Sequence, residues 1–189
     1  MRVIAGAMKG RKLAARPGHG LRPTTDKVKG ALFNILGETV IGAAFLDLYA
    51  GSGAIGMEAL SRGAASVVFV ESDEQRKRQI EADLKRGGFL DQTSGEDQRV
   101  ARVWGCTAEA FVNLTGQGRF DVIFVDPPYQ SDEVALLLPL LSAGDLLTPQ
   151  GRIVVEHFHK KVPPDKVFDL VQTKRYRYGD TVLAFYERG

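Results

Sequence analysis

Five short runs of β-forming residues alternate with helical patterns through the middle of the chain, and this alternation restricts its fold more than any other feature. The predicted strands are Ala44 to Tyr49, Ser66 to Val70, Arg99 to Trp104, Phe120 to Val125 and Arg152 to Glu156. The predicted helices between them are Ala54 to Ser61, Asp73 to Lys85, Ala108 to Leu114 and Glu133 to Leu141. Strands that alternate with helices pair in parallel, so we predict an α/β fold with a doubly wound, Rossmann-like, mostly parallel sheet.

The two ends of the chain depart from this alternation. Residues 1–22 hold a short alternating stretch broken by glycines, which predicts a small hairpin and loop, and a helix then begins at Thr24 or Thr25 and stops at Gly37. Residues 167–178 and 181–187 flank a Gly-Asp pair and predict a terminal hairpin whose last strand is antiparallel. We therefore expect a small N-terminal hairpin and helix extension over residues 1–40 and a larger α/β domain over residues 41–189.

Composition limits the function classes. The chain has 189 residues, 44% of them hydrophobic, yet none of its apolar runs reaches the roughly 18 residues of a membrane span. The N-terminus lacks the apolar core of a signal peptide, so we expect a cytoplasmic protein with no membrane contact. A single cysteine, Cys106, and three scattered histidines lack metal-ligand spacing, so we expect no metal. Nothing in the sequence points to an oligomer, and we expect a monomer.

Charge is distributed unevenly between the extension and the rest. Residues 1–29 contain eight Lys and Arg against one Asp, a balance of +7, although the whole chain carries only +2. Lysine and arginine neutralise phosphates and release counterions, so this pattern is consistent with a polyanionic partner. A solvated basic hairpin without a partner would show the same charge.

A glycine-rich loop follows the first predicted strand. The stretch from Asp47 to Gly56, DLYAGSGAIG, fits G-x-G-x-x-G, and Glu71 ends the second predicted strand 20 residues after Gly51. A dinucleotide would place its pyrophosphate by this loop, where the Asp47 carboxylate would repel it. S-adenosylmethionine has no phosphate, and its ammonium and sulfonium groups would be attracted. The loop therefore favours a methyl donor, with Glu71 accepting hydrogen bonds from ribose hydroxyls; Asp47 as a simple helix-capping group stays an alternative.

The fourth predicted strand ends in Asp126-Pro-Pro-Tyr129. Its prolines remove two backbone donors and leave two acceptors, the Asp126 carboxylate and the Pro127 carbonyl. Two acceptors on the hydrogens of a planar exocyclic amine would localise its lone pair and aim it at a methyl group. Tyr129 could stack on the base that carries the amine. Ligands of open α/β sheets lie beyond the carboxyl ends of the strands, so this motif and the glycine loop should share one crevice.

Taken together, these motifs resemble a known family. DPPY after the fourth strand, DLYAGSG after the first and VESD after the second are similar to the amino-methyltransferases with an (N/D)PP(Y/F) motif. The chain further resembles the RsmD family of bacterial 16S rRNA methyltransferases along nearly its whole length, in the segments MRVIAG, KGRKL, LRPTTDKVKGALFNIL, FLDLYAGSGAIGMEALSRGA and RYGDT. This resemblance implies methyl transfer from S-adenosylmethionine to N2 of one guanine in 16S rRNA, within the small ribosomal subunit or its assembly intermediate.

The resemblance also implies site residues. Those expected at the cofactor are Asp47, Tyr49, Ala50, Gly51, Ser52, Gly53, Glu71, Ser72, Thr107, Ala108 and Asp126. Those expected in catalysis are Asp126, Pro127 and Tyr129, and those expected at the RNA are Arg2, Lys9, Arg11, Lys12, Arg22 and Thr24, with Thr25 helping to close over the site. Thr107 stands where related enzymes often have Asp or Asn for the adenine amino group.

Other functions share parts of these patterns. A DNA adenine-N6 or protein-glutamine methyltransferase would use the same Asp-Pro-Pro-Tyr logic. A nicotinamide-dependent oxidoreductase would use the three glycines, and a non-catalytic RNA-binding subunit would need only the basic extension.

Overall fold

One eight-stranded sheet organises the protein. A computed structural model describes residues 2–13, 25–89, 100–114, 116–129 and 131–189. The strands are β1 (Ala44–Leu48), β2 (Ser66–Val70), β3 (Val100–Trp104), β4 (Phe120–Val125), β5 (Leu147–Phe158), β6 (Lys166–Val167), β7 (Leu170–Tyr178) and β8 (Thr181–Arg188). Their order is β3-β2-β1-β4-β5-β8-β7-β6, with β1 to β5 parallel and β6 to β8 antiparallel. The predicted doubly wound sheet with an antiparallel C-terminal strand is confirmed.

Helices cover both faces of this sheet. They are α1 (Asp26–Leu36), a 3-10 turn (Gly37–Val40), α2 (Ala54–Ser61), α3 (Glu74–Gly87), α4 (Ala108–Val112) and α5 (Glu133–Ala143). Apolar side chains of α1, α2 and α3 pack on one face, and those of α4 and α5 pack on the other. Thr25 caps α1 by accepting a hydrogen bond from the Val28 amide at 3.3 Å. Among the described residues, no helix is long and apolar enough to cross a membrane.

The fifth strand is longer than the sequence predicts. It runs from Leu147 to Phe158, although Pro149 and Gly151 indicate a turn before residue 152. The register explains the difference, because Phe120 pairs with Leu147 whereas Val122 already pairs with Arg152. The intervening residues form an irregularity in β5, a place where the sheet tolerates a proline and a glycine.

The described part of the N-terminal extension is packed onto α1 and α2. Its predicted hairpin has one antiparallel bridge, between Arg2 and Lys12. Val3, Met8 and Leu13 are buried in the core. The fully buried Glu58 carboxylate of α2 accepts hydrogen bonds from the amides of Ile4 (2.7 Å) and Ala5 (3.0 Å). The same carboxylate pairs with two cations, the buried Lys29 ammonium and the Arg62 guanidinium. The division into residues 1–40 and 41–189 stays a prediction.

Candidate active site

The glycine loop and the Asp-Pro-Pro-Tyr motif leave the sheet side by side. Strands β1 and β4 are hydrogen-bonded neighbours, and their last residues, Leu48 and Val125, are paired. Strand β2 lies on the other side of β1 and ends at Val70, opposite Leu48. The loops that begin at Tyr49, Glu71 and Asp126 therefore share one edge of the sheet, as the sequence predicts.

The loop after β1 turns tightly through left-handed backbone conformations. Gly51 and Gly53 have φ angles of 56° and 72°, and Tyr49, which is not a glycine, has a φ of 63°. A side chain at Gly51 would have open space, because the nearest atom to an added Cβ is the Tyr49 carbonyl oxygen at 3.7 Å. Gly56 has a different role, since an added Cβ would lie 2.2 Å from the Phe69 ring. The first two glycines shape a turn that a ligand can approach, and the third lets α2 pack closely on the sheet.

Strain at Tyr49 is accompanied by a contact that the sequence does not reveal. Its hydroxyl bonds to Glu133 in the first turn of α5, and burial together with this carboxylate raises the pKa of the phenol well above its usual range. A non-glycine residue in this conformation costs free energy and is found where surrounding structure holds it in place. Glu133 thus supports the glycine loop from the helix that follows the Asp-Pro-Pro-Tyr motif.

Asp47 lies beneath the glycine loop with only 1% of its surface exposed. Its Oδ2 accepts a hydrogen bond of 2.9 Å from the Gly56 amide in the first turn of α2, which is the capping contact that the sequence left open. Burial, together with the Glu71 charge, raises the pKa of this carboxyl group to about 7. In the described part of the chain no Lys or Arg pairs with it. A buried carboxylate without a cation fits a cationic ligand in the loop above.

Glu71 connects two loops at the end of β2. Its Oε2 accepts a hydrogen bond of 2.7 Å from the Gly51 amide, and its Oε1 accepts one of 2.8 Å from the Asp73 amide. The Arg76 guanidinium lies 3.9 Å from Oε1. An ionised carboxylate has about four acceptor positions, so two remain for the ribose hydroxyls that the sequence assigns to it. Ser72 is exposed beside it.

The Asp-Pro-Pro-Tyr segment follows β4 at the edge of the sheet. Asp126 is half-buried and Pro127 is buried. The Pro128 carbonyl is occupied by the amide (2.9 Å) and hydroxyl (2.8 Å) of Ser131. By contrast, no donor from the described residues reaches the Pro127 carbonyl. The turn is therefore held through the second proline, and the carbonyl of the first is left for a ligand.

Tyr129 is fixed by its hydroxyl. That oxygen lies 2.7 Å from Thr181 Oγ1 and donates to Glu156 Oε1 at 3.2 Å, and burial raises the pKa of the phenol to about 12. Its half-buried ring is stacked on Phe158, with 5.9 Å between ring centroids. Such a phenol is a poor base at neutral pH, and its contacts hold the ring in one orientation. The sequence missed these three partners, and the one signal was a glutamate at the end of an apolar strand.

Thr107 caps α4 beyond the end of β3. Its exposed hydroxyl oxygen accepts a hydrogen bond of 3.2 Å from the Ala110 amide, and Ala108 behind it is buried. One acceptor position on this hydroxyl is therefore already used. Ala50 is also buried, and its amide donates to the Val70 carbonyl at 2.9 Å.

The cations expected at the RNA are not next to this edge. Arg2, Lys9, Arg11 and Lys12 are exposed. The extension bonds to Ser61, the last residue of α2, and the Arg11 guanidinium lies against Gly87, the last residue of α3. Both helices begin at the crevice and run away from it, so Lys9 and Arg11 lie toward the ends of these helices that are remote from the crevice. Arg22 and Thr24 lie outside the described residues.

Comparisons with known proteins agree with this architecture. A family model described as "Conserved hypothetical protein 95" matches residues 1–187. The chain is 40% identical to "Putative rRNA methyltransferase YlbH" of Bacillus subtilis, over 100% of this chain and 99% of that protein. It is 37% identical to "Ribosomal RNA small subunit methyltransferase D" of Escherichia coli K12, over 82% of this chain and 74% of that protein. The solved structure of "Putative methyltransferase yhhF" from Escherichia coli superposes with a TM-score of 0.84 and 32% identity, covering 100% of this chain and 97% of that one.

Proposed function

Because this chain belongs to the RsmD family of methyltransferases, we propose that it transfers a methyl group from S-adenosylmethionine to the exocyclic N2 amine of one guanine in 16S rRNA. The observation that carries the proposal is the pairing of Leu48 with Val125. That pair places the acceptors of the Asp-Pro-Pro-Tyr motif beside a glycine loop built over a buried carboxylate. The methyltransferase names of its relatives support this proposal over the nicotinamide alternative.

The cofactor is expected between the glycine loop and the end of β2. Asp47 would act from below the loop as a negative charge that favours a cationic ligand. Glu71 would accept hydrogen bonds from the two ribose hydroxyls, and Gly51 would allow the backbone to approach closely. The adenine would lie toward Ser72 and Thr107. When bound, S-adenosylmethionine supplies an electrophilic methyl group.

The motif after β4 would bind the other reactant. A guanine N2 amine is planar and a poor nucleophile because its lone pair is delocalised into the ring. The Asp126 carboxylate and the Pro127 carbonyl would accept its two hydrogens, which localises the lone pair on nitrogen. The same two oxygens stabilise the positive charge that develops on the nitrogen. Tyr129, with its hydroxyl held by Glu156 and Thr181, would offer its ring to the base.

We expect the substrate to be the small ribosomal subunit or an assembly intermediate, bound by a cytoplasmic monomer. The described cations of the extension are exposed on the surface, so they suit phosphates of the substrate RNA rather than the target base. The target base would be extrahelical or flipped. Recognition would then depend on the shape of a ribonucleoprotein rather than on a short sequence.

Nucleoside analysis tests the proposal directly. Small-subunit RNA from cells with and without the gene would be digested and compared by mass spectrometry. We expect N2-methylguanosine to fall by one residue per subunit when the gene is removed. Loss of a methyladenine from DNA, or of methylglutamine from a protein, would instead identify one of the alternative amino-methyltransferases.

Purified protein tests the catalytic role of Asp126. With isolated unmethylated subunits, Asp126→Ala should lower the methylation rate by roughly two orders of magnitude or more, while the Kd for S-adenosylhomocysteine changes only a few-fold. Asp145→Ala is a matched control, because that side chain is 95% exposed and lies before β5, at the opposite edge of the sheet. A wild-type methylation rate for Asp126→Ala would refute the catalytic role of Asp126. A non-catalytic RNA-binding subunit would instead show no methylation in either protein and would keep its full biological activity after Asp126→Ala. Protein-free rRNA should be methylated less efficiently than subunits, and equal efficiency would contradict recognition of an assembled particle.

A further inference from the structure

A small cavity lies beside the motif, on the sheet face covered by α4 and α5. It occupies about 160 Å³ between the end of β5, the loop that follows, and the β7–β8 hairpin. Its lining consists of His157, His159, Val162, Arg175, Arg177 and Val182. A volume of this size exceeds the share of a single water molecule several-fold, so the cavity can hold a small polar group.

Two arginines give this cavity its charge. Arg175 and Arg177 are two residues apart on β7, so both side chains project from the same face, opposite Ala184 and Val182 of β8. Both are exposed, and neither forms an ion pair within the ranges that the structure describes. Arg177 Nε donates to the Gly179 carbonyl at 2.7 Å, which holds that guanidinium at the turn. Most of the ten N–H donors of the two guanidiniums therefore remain available to an anion.

A buried histidine forms the floor of the cavity. His157 is 4% exposed, and its Nδ1 lies 3.0 Å from the Phe158 carbonyl. Its Nε2 is buried and makes no hydrogen bond with any described residue. Because Nδ1 donates to that carbonyl, Nε2 of the neutral ring is an acceptor, and its partner would be a water molecule that also donates to the bound anion rather than the anion itself. At the rim, His159 Nδ1 lies 3.6 Å from the Asp180 carboxylate, which an anion would have to avoid.

The cavity is connected to the motif through two contacts. Phe158 stacks on Tyr129 on one side and makes an edge contact with His159 on the other, at 4.6 Å between ring centroids. The Lys161 ammonium, in the loop that borders the cavity, donates to the Ser131 carbonyl (3.2 Å) and to Asp132 (3.0 Å), just after the motif. The residues that border the cavity therefore contact both Tyr129 and the segment just after the motif.

We propose that this cavity binds a backbone phosphate of the substrate RNA next to the target guanosine, with Arg175 and Arg177 as its ligands. The inference rests on the proposed function, because it assigns part of the substrate to a surface separate from the basic extension. A phosphate fixed here would hold the nucleotide chain so that the flipped base reaches Tyr129 and Asp126. Arg175 and Arg177 are then positioning residues, and they touch neither the amine nor the cofactor.

The double variant Arg175→Ala/Arg177→Ala tests this with unmethylated small subunits. Both side chains are exposed, so the fold and the Kd for S-adenosylhomocysteine should be unchanged. We expect KM for subunits to rise about tenfold or more, with kcat reduced less. The logarithm of the association constant for subunits falls linearly with the logarithm of the salt concentration. In the double variant the slope of this line should become shallower by about one unit, as expected for one lost phosphate contact. Arg119→Ala, which removes a half-exposed cation before β4 at the opposite edge, is the control and should leave both quantities unchanged.

Three results would overturn the inference. One is a double variant with wild-type KM and wild-type salt slope, and another is a rise in KM no larger than that of Arg119→Ala. The third is a loss of S-adenosylhomocysteine binding or of thermal stability, which would make the arginines structural. Failure of the wild-type protein to methylate subunits at all would instead refute the proposed function, so the two failures are distinguishable.

Discussion

Replacing Asp47 by asparagine should change how the stability of the protein depends on pH. Asp47 is buried under the glycine loop, and its pKa is raised from 3.8 to about 7. Between these two values the folded chain keeps a proton that the unfolded chain has lost. The stabilisation is therefore fully present below pH 3.8 and disappears as pH rises through 7.

The size of the pH effect follows from the interval between the two pKa values of Asp47, 3.8 and about 7. Each pH unit between pH 5 and pH 7 removes about 1.4 kcal/mol of unfolding free energy through this one group, so the loss from pH 5 to pH 8 is roughly 3 kcal/mol. The asparagine side chain of Asp47→Asn cannot ionise, although its amide oxygen can still accept the hydrogen bond from Gly56. Between pH 5 and pH 8, the unfolding free energy of Asp47→Asn should therefore fall by roughly 3 kcal/mol less than that of the wild type. The amide group can also change the stability of the variant, but by an amount that does not depend on pH.

Urea unfolding of the cofactor-free protein at pH 5, 6, 7 and 8 measures this difference directly. The other titrating groups are common to both proteins, so they cancel when Asp47→Asn is compared with wild type. Asp145→Asn, at an exposed position, should show no such effect. A wild-type-minus-variant difference that stays constant from pH 5 to pH 8 would refute the reasoning. As a second measurement, wild-type affinity for S-adenosylmethionine should rise with pH up to about 7, and this rise should be absent in Asp47→Asn.

Four further variants test packing and anchoring. Gly56→Ala should lose about 1 to 3 kcal/mol in urea unfolding because its Cβ would overlap the Phe69 ring, whereas Gly30→Ala, in α1 with 3.9 Å to its nearest neighbour, should gain about 0.5 to 1 kcal/mol. Tyr129→Phe should lose about 1 to 2 kcal/mol with its two hydrogen bonds but keep its methylation rate within about tenfold, and a collapse of the rate would make the hydroxyl catalytic. Glu58→Gln should cost roughly 3 kcal/mol or more and speed amide exchange in residues 2–13, while unchanged exchange there would show that this carboxylate does not hold the extension.

The order of strands and helices could be predicted from the sequence because the first five strands are short runs of apolar residues, and most of the segments between them have helical periodicity. The glycine loop, Glu71 and the Asp-Pro-Pro-Tyr motif were predictable because parallel strands place their carboxyl ends at one edge. The bulged start of β5 was not predictable, because its register depends on Phe120 and Leu147, far apart in the sequence. The anchors of Tyr129 and the cavity of Arg175 were hidden for the same reason, since β8 lies between β5 and β7.

The position of β8 also bears on how the enzyme is made. Ribosomes deliver β5 before β7 and β7 before β8, yet β8 is the strand that joins them in the sheet. Until residues 181–188 emerge, β5 has an open edge, and Tyr129 lacks the threonine that holds its hydroxyl. A nascent chain that already contains every motif of the crevice therefore still lacks one of the contacts that hold Tyr129 in place. The sheet is complete only when β8 pairs with both β5 and β7, so a translational pause before residue 181 would prolong the exposure of the β5 edge, and exposed strand edges promote aggregation.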